Sequence, residues 1–305
     1  MSDSSSTVPR DPSQTTLWSK TQDATLRALA LGTLLPISTK SVFIGDHDIE
    51  FLVRIISNLK RKREKKESPK KPSNPFLPYE ESMFVGKVSN NHVCLLNKFN
   101  VIESHLLLVT RHYENQAQLL TIDDFRAAWT CLKEIRGLCF YNGGEEAGAS
   151  QHHKHLQLIP LPMTKGKADV PIEPLLTSAL TATNQPTSLS VYNFVHGAAK
   201  LPSLPQYTPE QCAQEAFRTY RELLQITGLN PLSDPEISLQ RAPYNLLFTN
   251  SWMLLVPRSK EHFAGISMNS LAYVGALLVQ NEEQMRAIES SGPLNAITAT
   301  AVSIL

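Results

Sequence analysis

The sequence predicts an α+β fold: an antiparallel sheet with helices packed on it, arranged as two related halves. Three observations predict it. Short apolar runs such as Val93–Leu96 and Leu106–Val109 alternate with segments whose apolar residues recur at helical spacing. The run Leu106-Leu107-Leu108-Val109-Thr110-Arg111 is echoed by Met253-Leu254-Leu255-Val256-Pro257-Arg258, and each comes after a shorter apolar strand, Val93–Leu96 or Leu246–Phe248. Composition agrees, because 42% hydrophobic and 19% charged residues over 305 positions suit one large domain or two intimate halves.

Several function classes are disfavoured at this level. A net charge of +1 gives no general pull toward nucleic acid or membrane surfaces. The apolar runs are too short to span a bilayer. Met1–Ser6 lacks the basic-then-apolar pattern of a secretory leader, so the expected setting is the cytoplasm. Cys94, Cys131, Cys139 and Cys212 have no CxxC spacing and read as small buried hydrophobes.

Each element can be justified in order. Residues 1–14 are rich in Ser, Thr and Pro and read as disordered. A first half is expected over 15–200 and a second over 201–305. Thr15–Leu31 reads as a helix with apolar positions at Leu17, Leu26, Leu29 and Leu31, and Ile49 to Lys62 as another, on Phe51, Leu52, Ile55, Ile56 and Leu59. The second runs into the basic stretch Lys60–Lys66, which is either a solvated helix end or a cationic arm whose Lys62 reaches a polyphosphate. A proline-punctuated connector comes next, from Pro69 to Pro78. Two strands, His92–Asn97 and His105–Thr110, precede a helix from Ile122 to Leu138, opened by the capping box Thr121/Asp124. Phe140-Tyr141 should begin the turn into a strand ending at Pro160. Residues 161–207 are rich in Pro, Thr and Ser, and Thr208-Pro209-Glu210-Gln211 opens a further helix with proline at its favoured first position.

The chemistry is concentrated in Gly148-Ala149-Ser150-Gln151-His152-His153-Lys154-His155-Leu156-Gln157. On a strand, His153, His155 and Gln157 share one face, because alternate side chains point the same way. Gly148 and Ala149 let the backbone approach a phosphate, while Ser150 and Gln151 add a hydroxyl and an amide. Neutral imidazole needs no proton removed before it attacks phosphorus. As the middle member of the trio, His155 is the candidate nucleophile, with His153 orienting it or holding phosphate and Gln157 donating its amide N–H to the transition state. Spacing alone leaves two further readings open: a metal pair formed by His153 and His155, and satisfied polar residues at a sheet edge. His152 points away and reads as a bystander or loop residue.

Those residues, with Asn97–Arg111 and Phe140–Gly144, resemble the histidine-triad superfamily. The resemblance is nearest to its ATP adenylyltransferase branch, the diadenosine tetraphosphate (Ap4A) phosphorylases. Tyr244–Thr249, Trp252–Ser259 and Asn269–Leu271 in the second half look like that branch too. The resemblance implies a histidine-triad-like fold and phosphorolysis of Ap4A to ATP and ADP through a covalent AMP–histidine. It places the nucleophile on His155 and the family's glutamine on Gln157. It puts ribose and base near Asn97, and phosphate contacts on Lys62, Lys98, Asn142 and the turn Gly148, Ala149, Ser150 and Gln151. Weaker matches are Asn245, Thr249 and Lys260. It implies nucleotides and phosphate as the partners of a monomer or homodimer, with no nucleic acid and no membrane. A divalent cation, Mg²⁺, accompanies the polyphosphate, and no tightly held metal is expected.

Two other functions fit the same motif. Hexose-1-phosphate uridylyltransferases share HxHxQ, although the CxxC of their metal sites is missing from this chain. A nucleotide sensor could keep the pocket without turnover. Gln157 speaks to acceptor choice, because an amide cannot act as a general acid or base, which makes phosphate the expected acceptor rather than water. Gln157→His is therefore expected to raise AMP release in the absence of phosphate. An unchanged rate in that assay contradicts the assignment.

Overall fold

The computed structural model describes residues 16–57, 74–202, 206–230 and 239–304. The expected disordered start over 1–14 and the basic stretch containing Lys62 lie outside the described residues.

The chain opens with α1 (Leu17–Ala30), whose N-cap Thr16 accepts from the Ser19 N–H at 3.1 Å. Small residues let it lie close to the sheet: Leu17, Thr21, Ala24 and Ala28 are buried, whereas Leu26, Leu29 and Leu31 are exposed. A hairpin is next, β1 (Thr39–Asp46) and β2 (Ile49–Ile56). This corrects the helix expected from Ile49. The unbroken run Phe51-Leu52-Val53 satisfies helical spacing only because it is apolar throughout, and β2 is buried on both faces as the central strand of a three-stranded sheet.

The main sheet is built from β3 (Phe84–Lys87), β4 (His92–Leu96) and β5 (Leu106–Thr110), then β6 (Gly137–Gly143) and β7 (His155–Pro160) after α2 (Ile122–Leu132). The 161–207 stretch carries α3 (Glu173–Thr181) and β8 (Gly197–Lys200), and α4 (Pro209–Ile226) leads to β9 (Tyr244–Phe248) and β10 (Trp252–Pro257). The order β3-β4-β5-β7-β6-β9-β10-β8 is antiparallel throughout. The two echoing hairpins, β4–β5 and β9–β10, therefore lie in one continuous sheet. Their downstream segments differ. A single helix, α2, succeeds β5, whereas β10 is succeeded by the short pair β11 (His262–Phe263) and β12 (Ile266–Ser267), then β13 (Ala276–Val279), parallel to β2, and only then α5 (Glu282–Ser291) and α6 (Pro293–Thr298).

The helix expected to reach Leu138 stops at Leu132, and Phe140 and Tyr141 lie inside β6. Gly137-Leu138-Cys139-Phe140-Tyr141 pairs with strands on both sides, so its alternate residues feed opposite faces. One face of the sheet, with Leu108, Cys139, Tyr141, Leu156 and Phe248, is covered by α1, α2 and α4. The other carries two separate apolar clusters. Phe76, Val93, Leu95, Leu107 and Val109 form the smaller, while Leu138, Phe140, Ile159 and Leu254 pack with the small sheet in the larger. His155 and Gln157 lie opposite Val109 and Leu107 on β5, and Gln157 lies opposite Phe140 on β6. The polar side of β7 thus occupies the seam between the two clusters.

Behind that seam is a buried charge network. Lys154 has no exposed surface; its Nζ lies 2.8 Å from Asp124 Oδ2 and 3.2 Å from Glu114 Oε2, and donates to Leu119 O at 3.1 Å. Asp124 also caps α2 with Thr121 and takes His92 Nε2–H at 2.9 Å. Burial alone would raise its carboxyl, but hydrogen bonds from His92 and the Lys154 charge hold it at about 2. A carboxylate held this low contributes stability above its unfolded value near 3.8, lost as pH falls toward 2. Asp124→Asn takes away the nearest and most buried counter-charge of Lys154 and is expected to cost about 3–5 kcal/mol in urea denaturation at pH 7. The double variant Lys154→Met/Asp124→Asn is expected to recover part of it.

Candidate active site

β7 pairs with β6 only as far as Phe140 opposite Gln157. Beyond that point the strands part, and the side chain of Gln116 fills the opening. Its Oε1 accepts from the His155 N–H at 2.8 Å, and its Nε2 donates to Asn142 O at 2.9 Å and His155 O at 3.2 Å. An amide suits this place because it offers both a donor and an acceptor to two unpaired backbones.

His155 is buried, with the Phe76 ring 5.2 Å away. Its Nδ1 lies 2.9 Å from the carbonyl oxygen of His153. A carbonyl can only accept, so Nδ1 carries the proton and Nε2 is left with its lone pair. Burial pushes this imidazole down to about 4, so it is neutral at pH 7. A neutral ring with a fixed tautomer can attack an electrophilic phosphorus without prior proton removal.

His153 shares the Phe76 wall at 5.8 Å but is held differently. Its Nε2 lies 2.9 Å from both Thr110 Oγ1 and Thr110 O, and its Nδ1 is 3.0 Å from Asn74 Nδ2. The orienting group for His155 is therefore the His153 backbone carbonyl rather than its imidazole. With both ring nitrogens of His153 engaged, the two imidazoles do not present paired lone pairs to one ion. Among the described residues, no group of three or more His, Cys, Asp or Glu is placed to hold a metal.

Gln157 is half-buried, and its Oε1 lies 3.0 Å from His105 Nε2. His105 Nδ1 is in turn 3.2 Å from Asn97 Nδ2. His105 is not among the residues that the sequence singles out, although a signal existed: strands ending at Asn97 and starting at His105 put these two residues across one hairpin.

The turn before β7 is braced from the second half. Gly148 has φ +88°, and a Cβ there would meet Asn269 Cβ at 3.0 Å, so glycine is required. Asn142 Oδ1 accepts from Asn245 Nδ2 at 2.9 Å and from Ser270 Oγ at 2.6 Å, while Asn245 Nδ2 also reaches Ala147 O at 2.8 Å. Buried Arg258 donates to Asn245 Oδ1 at 2.5 Å and to Thr300 O at 3.0 Å, with its guanidinium 4.9 Å from the Tyr273 ring centre. Asn245 has no exposed surface, which makes it a prop beneath the turn rather than a ligand contact.

The remaining candidates scatter. Ala149, Ser150 and Gln151 are accessible on the turn, and Lys98 is half-buried at its ion pair with Glu80. Lys260 is exposed and offers its carbonyl to Arg258. Thr249 lies in the β9–β10 turn with Ser251, beyond Phe248 and hence at the opposite end of the strands from His155, which corrects its expected place in the site. A cleft of about 250 Å³ lies beside Gln116, Gly144, Ala149 and Gln151, and one of about 160 Å³ beside Asn74, Tyr113, Gln151 and His153. His152, an exposed loop residue, lines both clefts. His155 is expected to titrate near 4 in imidazole-labelled NMR spectra, with Nδ1–H persisting above that. A midpoint near 6.5, the ordinary value, contradicts its burial.

Residues 8–178 match the Ap4A phosphorylase N-terminal domain, and residues 190–303 match the ATP adenylyltransferase C-terminal domain. Diadenosine 5',5'''-P1,P4-tetraphosphate phosphorylase 2 of Saccharomyces cerevisiae is 29% identical over 242 residues, covering 72% of this chain and 73% of that protein. Protein APA1 of the same yeast is 30% identical over 259 residues, 76% of each. The crystal structure of yeast Ap4A phosphorylase Apa2 in complex with AMP shares the fold, with a TM-score of 0.75 at 23% identity over 94% of this chain and 96% of that one. A chain matched along both halves in this way, with His155 and Gln157 of HxHxQ on the strand between its two apolar clusters and His153 just before that strand, belongs to the Ap4A phosphorylase family.

Proposed function

We propose that the protein cleaves Ap4A with inorganic phosphate to ATP and ADP, reversibly, with His155 as the nucleophile. The observation that carries this reading is the Nδ1–H···O=C bond from His155 to His153, which leaves Nε2 unprotonated at neutral pH. Family membership supplies the substrate class.

In the first step the Nε2 lone pair attacks the phosphorus of one adenylyl group. The bond from that phosphorus to the bridging oxygen breaks, and ATP leaves with the electron pair. In the second step an oxygen of phosphate attacks the same phosphorus, the P–N bond breaks, and ADP leaves while Nε2 recovers its lone pair. Attack and departure need no general base at Nε2, which fits a ring that is neutral throughout the physiological range.

The turn Gly148–Gln151 and the Gln157 amide stabilise charge on the non-bridging oxygens. Asn97 marks the side for ribose and base, and Lys62, Lys98 and Lys260 add positive charge along the polyphosphate. A divalent cation, Mg²⁺, enters with the polyphosphate as part of the substrate and neutralises it.

Incubation with Ap4A and phosphate is expected to yield ATP and ADP in equal amounts, read by chromatography. With labelled Ap4A and no phosphate, an acid-labile, base-stable adenylyl label is expected on the protein. His155→Ala is expected to lose both. A His155→Ala protein that still labels removes the assigned nucleophile, and turnover of UDP-sugars in place of Ap4A moves the protein to the uridylyltransferases.

A further inference from the structure

The hydrogen bonds reaching Gln157 have a fixed direction. The backbone N–H of Phe99 donates to Asn97 Oδ1 at 3.3 Å, and a backbone N–H can only donate. Asn97 Oδ1 is therefore the acceptor end of its amide, and Nδ2–H is the end that faces His105 Nδ1 at 3.2 Å. An imidazole that accepts at Nδ1 carries its proton on Nε2. That Nε2–H lies 3.0 Å from Gln157 Oε1, which accepts it. The only orientation left for Gln157 places its NH₂ end on the side away from His105. Gln157 and His155 are two positions apart on β7 and share a face, so that end is available to the site.

We infer that His105 is a positioning residue: it dictates which end of the Gln157 amide meets the nucleotidyl group, and through that favours phosphate over water as the acceptor. The inference rests on the functional reading above and deepens it. In the orientation set by His105, Gln157 offers N–H groups to the non-bridging oxygens of the group on His155. In the flipped orientation Gln157 Oε1 would face those oxygens, which repels them, and would accept a hydrogen bond from water at the same place. Burial supports the arrangement by holding His105 neutral, down to about 4, so that Nδ1 stays an acceptor. The ring is also packed against Phe140 at 5.8 Å, which limits its rotation.

The test uses the full-length chain and three variants. His105→Asn keeps a polar group near Asn97 but is too short to reach Gln157. His105→Gln places an amide N–H where Nε2–H was. Gln157→Ala removes the group on which His105 acts.

His105→Asn is expected to lower kcat for phosphorolysis about 10- to 100-fold, by loosening one transition-state donor, with KM for Ap4A changed less than about threefold because His105 acts through Gln157. Its ratio of phosphate-independent AMP release to phosphorolysis is expected to rise several-fold. His105→Gln is expected to restore most of both. In a Gln157→Ala background, His105→Asn is expected to have no further effect on either quantity.

A full effect of His105→Asn in the Gln157→Ala background overturns the inference, because His105 would then act by another route. So does an unchanged partition ratio in His105→Asn, or a loss in His105→Gln as large as in His105→Asn. If instead the unaltered chain does not phosphorolyse Ap4A at all, the functional reading fails, and this inference with it. Turnover of the unaltered chain with an unresponsive His105 sinks the inference alone.

Discussion

The site exists because β6 and β7 stop pairing where Phe140 faces Gln157. Two neighbouring strands that part inside a sheet leave unpaired N–H and C=O groups, and buried groups of that kind are costly. Gln116 satisfies the His155 N–H and the His155 and Asn142 carbonyls with one side chain, which holds the gap open. The loop between β6 and β7 can then fold as a glycine-dependent turn at the mouth of the gap, with the reactive strand directly beneath it.

Lys154, just before β7, and His155, its first residue, are electrostatic opposites. Toward the helices, Lys154 is locked to Asp124 and Glu114 inside the protein. Toward the seam, His155 is stripped of water and kept neutral. Successive side chains of an extended segment point to opposite sides, which makes both possible at neighbouring positions. Lys154 also fixes the strand through its main chain, which bonds to Glu114 and Thr110, so the His153 carbonyl that sets the His155 tautomer belongs to a segment pinned on both sides. Buried charge of this kind adds little net stability, yet it defines one position for the chain.

Much of this was legible in the sequence because strand alternation is a strict rule. His155 and Gln157 fall on one face as their spacing requires, and the capping box at Thr121 and the Thr208-Pro209 start open helices where expected. The misreadings have physical causes. A strand buried on both faces, such as Ile49–Ile56, loses the period-two signal and imitates a helix. Leu26 and Leu29 are exposed because α1 approaches the sheet on Ala24 and Ala28, and small residues carry no hydrophobic signal as strong as leucine. Roles that depend on long-range partners were not readable at all. Asn245 was expected at the substrate, but contacts with Asn142, Ala147 and Arg258, each from a distant or differently folded segment, occupy it. The same holds for Gln116 and His105, whose importance lies in which atoms they meet.

The brace formed by Arg258 has a further consequence for how such a chain can change. One guanidinium serves Asn245, Thr300 and the Lys260 carbonyl at once, and three diverging acceptors cannot be matched by a lysine ammonium in its place. Through Asn245 this cation supports a turn that lies about a hundred residues earlier in the sequence. The halves are therefore not interchangeable modules. A chimera that joins the HxHxQ half to a foreign C-terminal partner keeps every reactive atom but loses the keystone that shapes the loop above them, so the two segments are constrained to evolve as a matched pair.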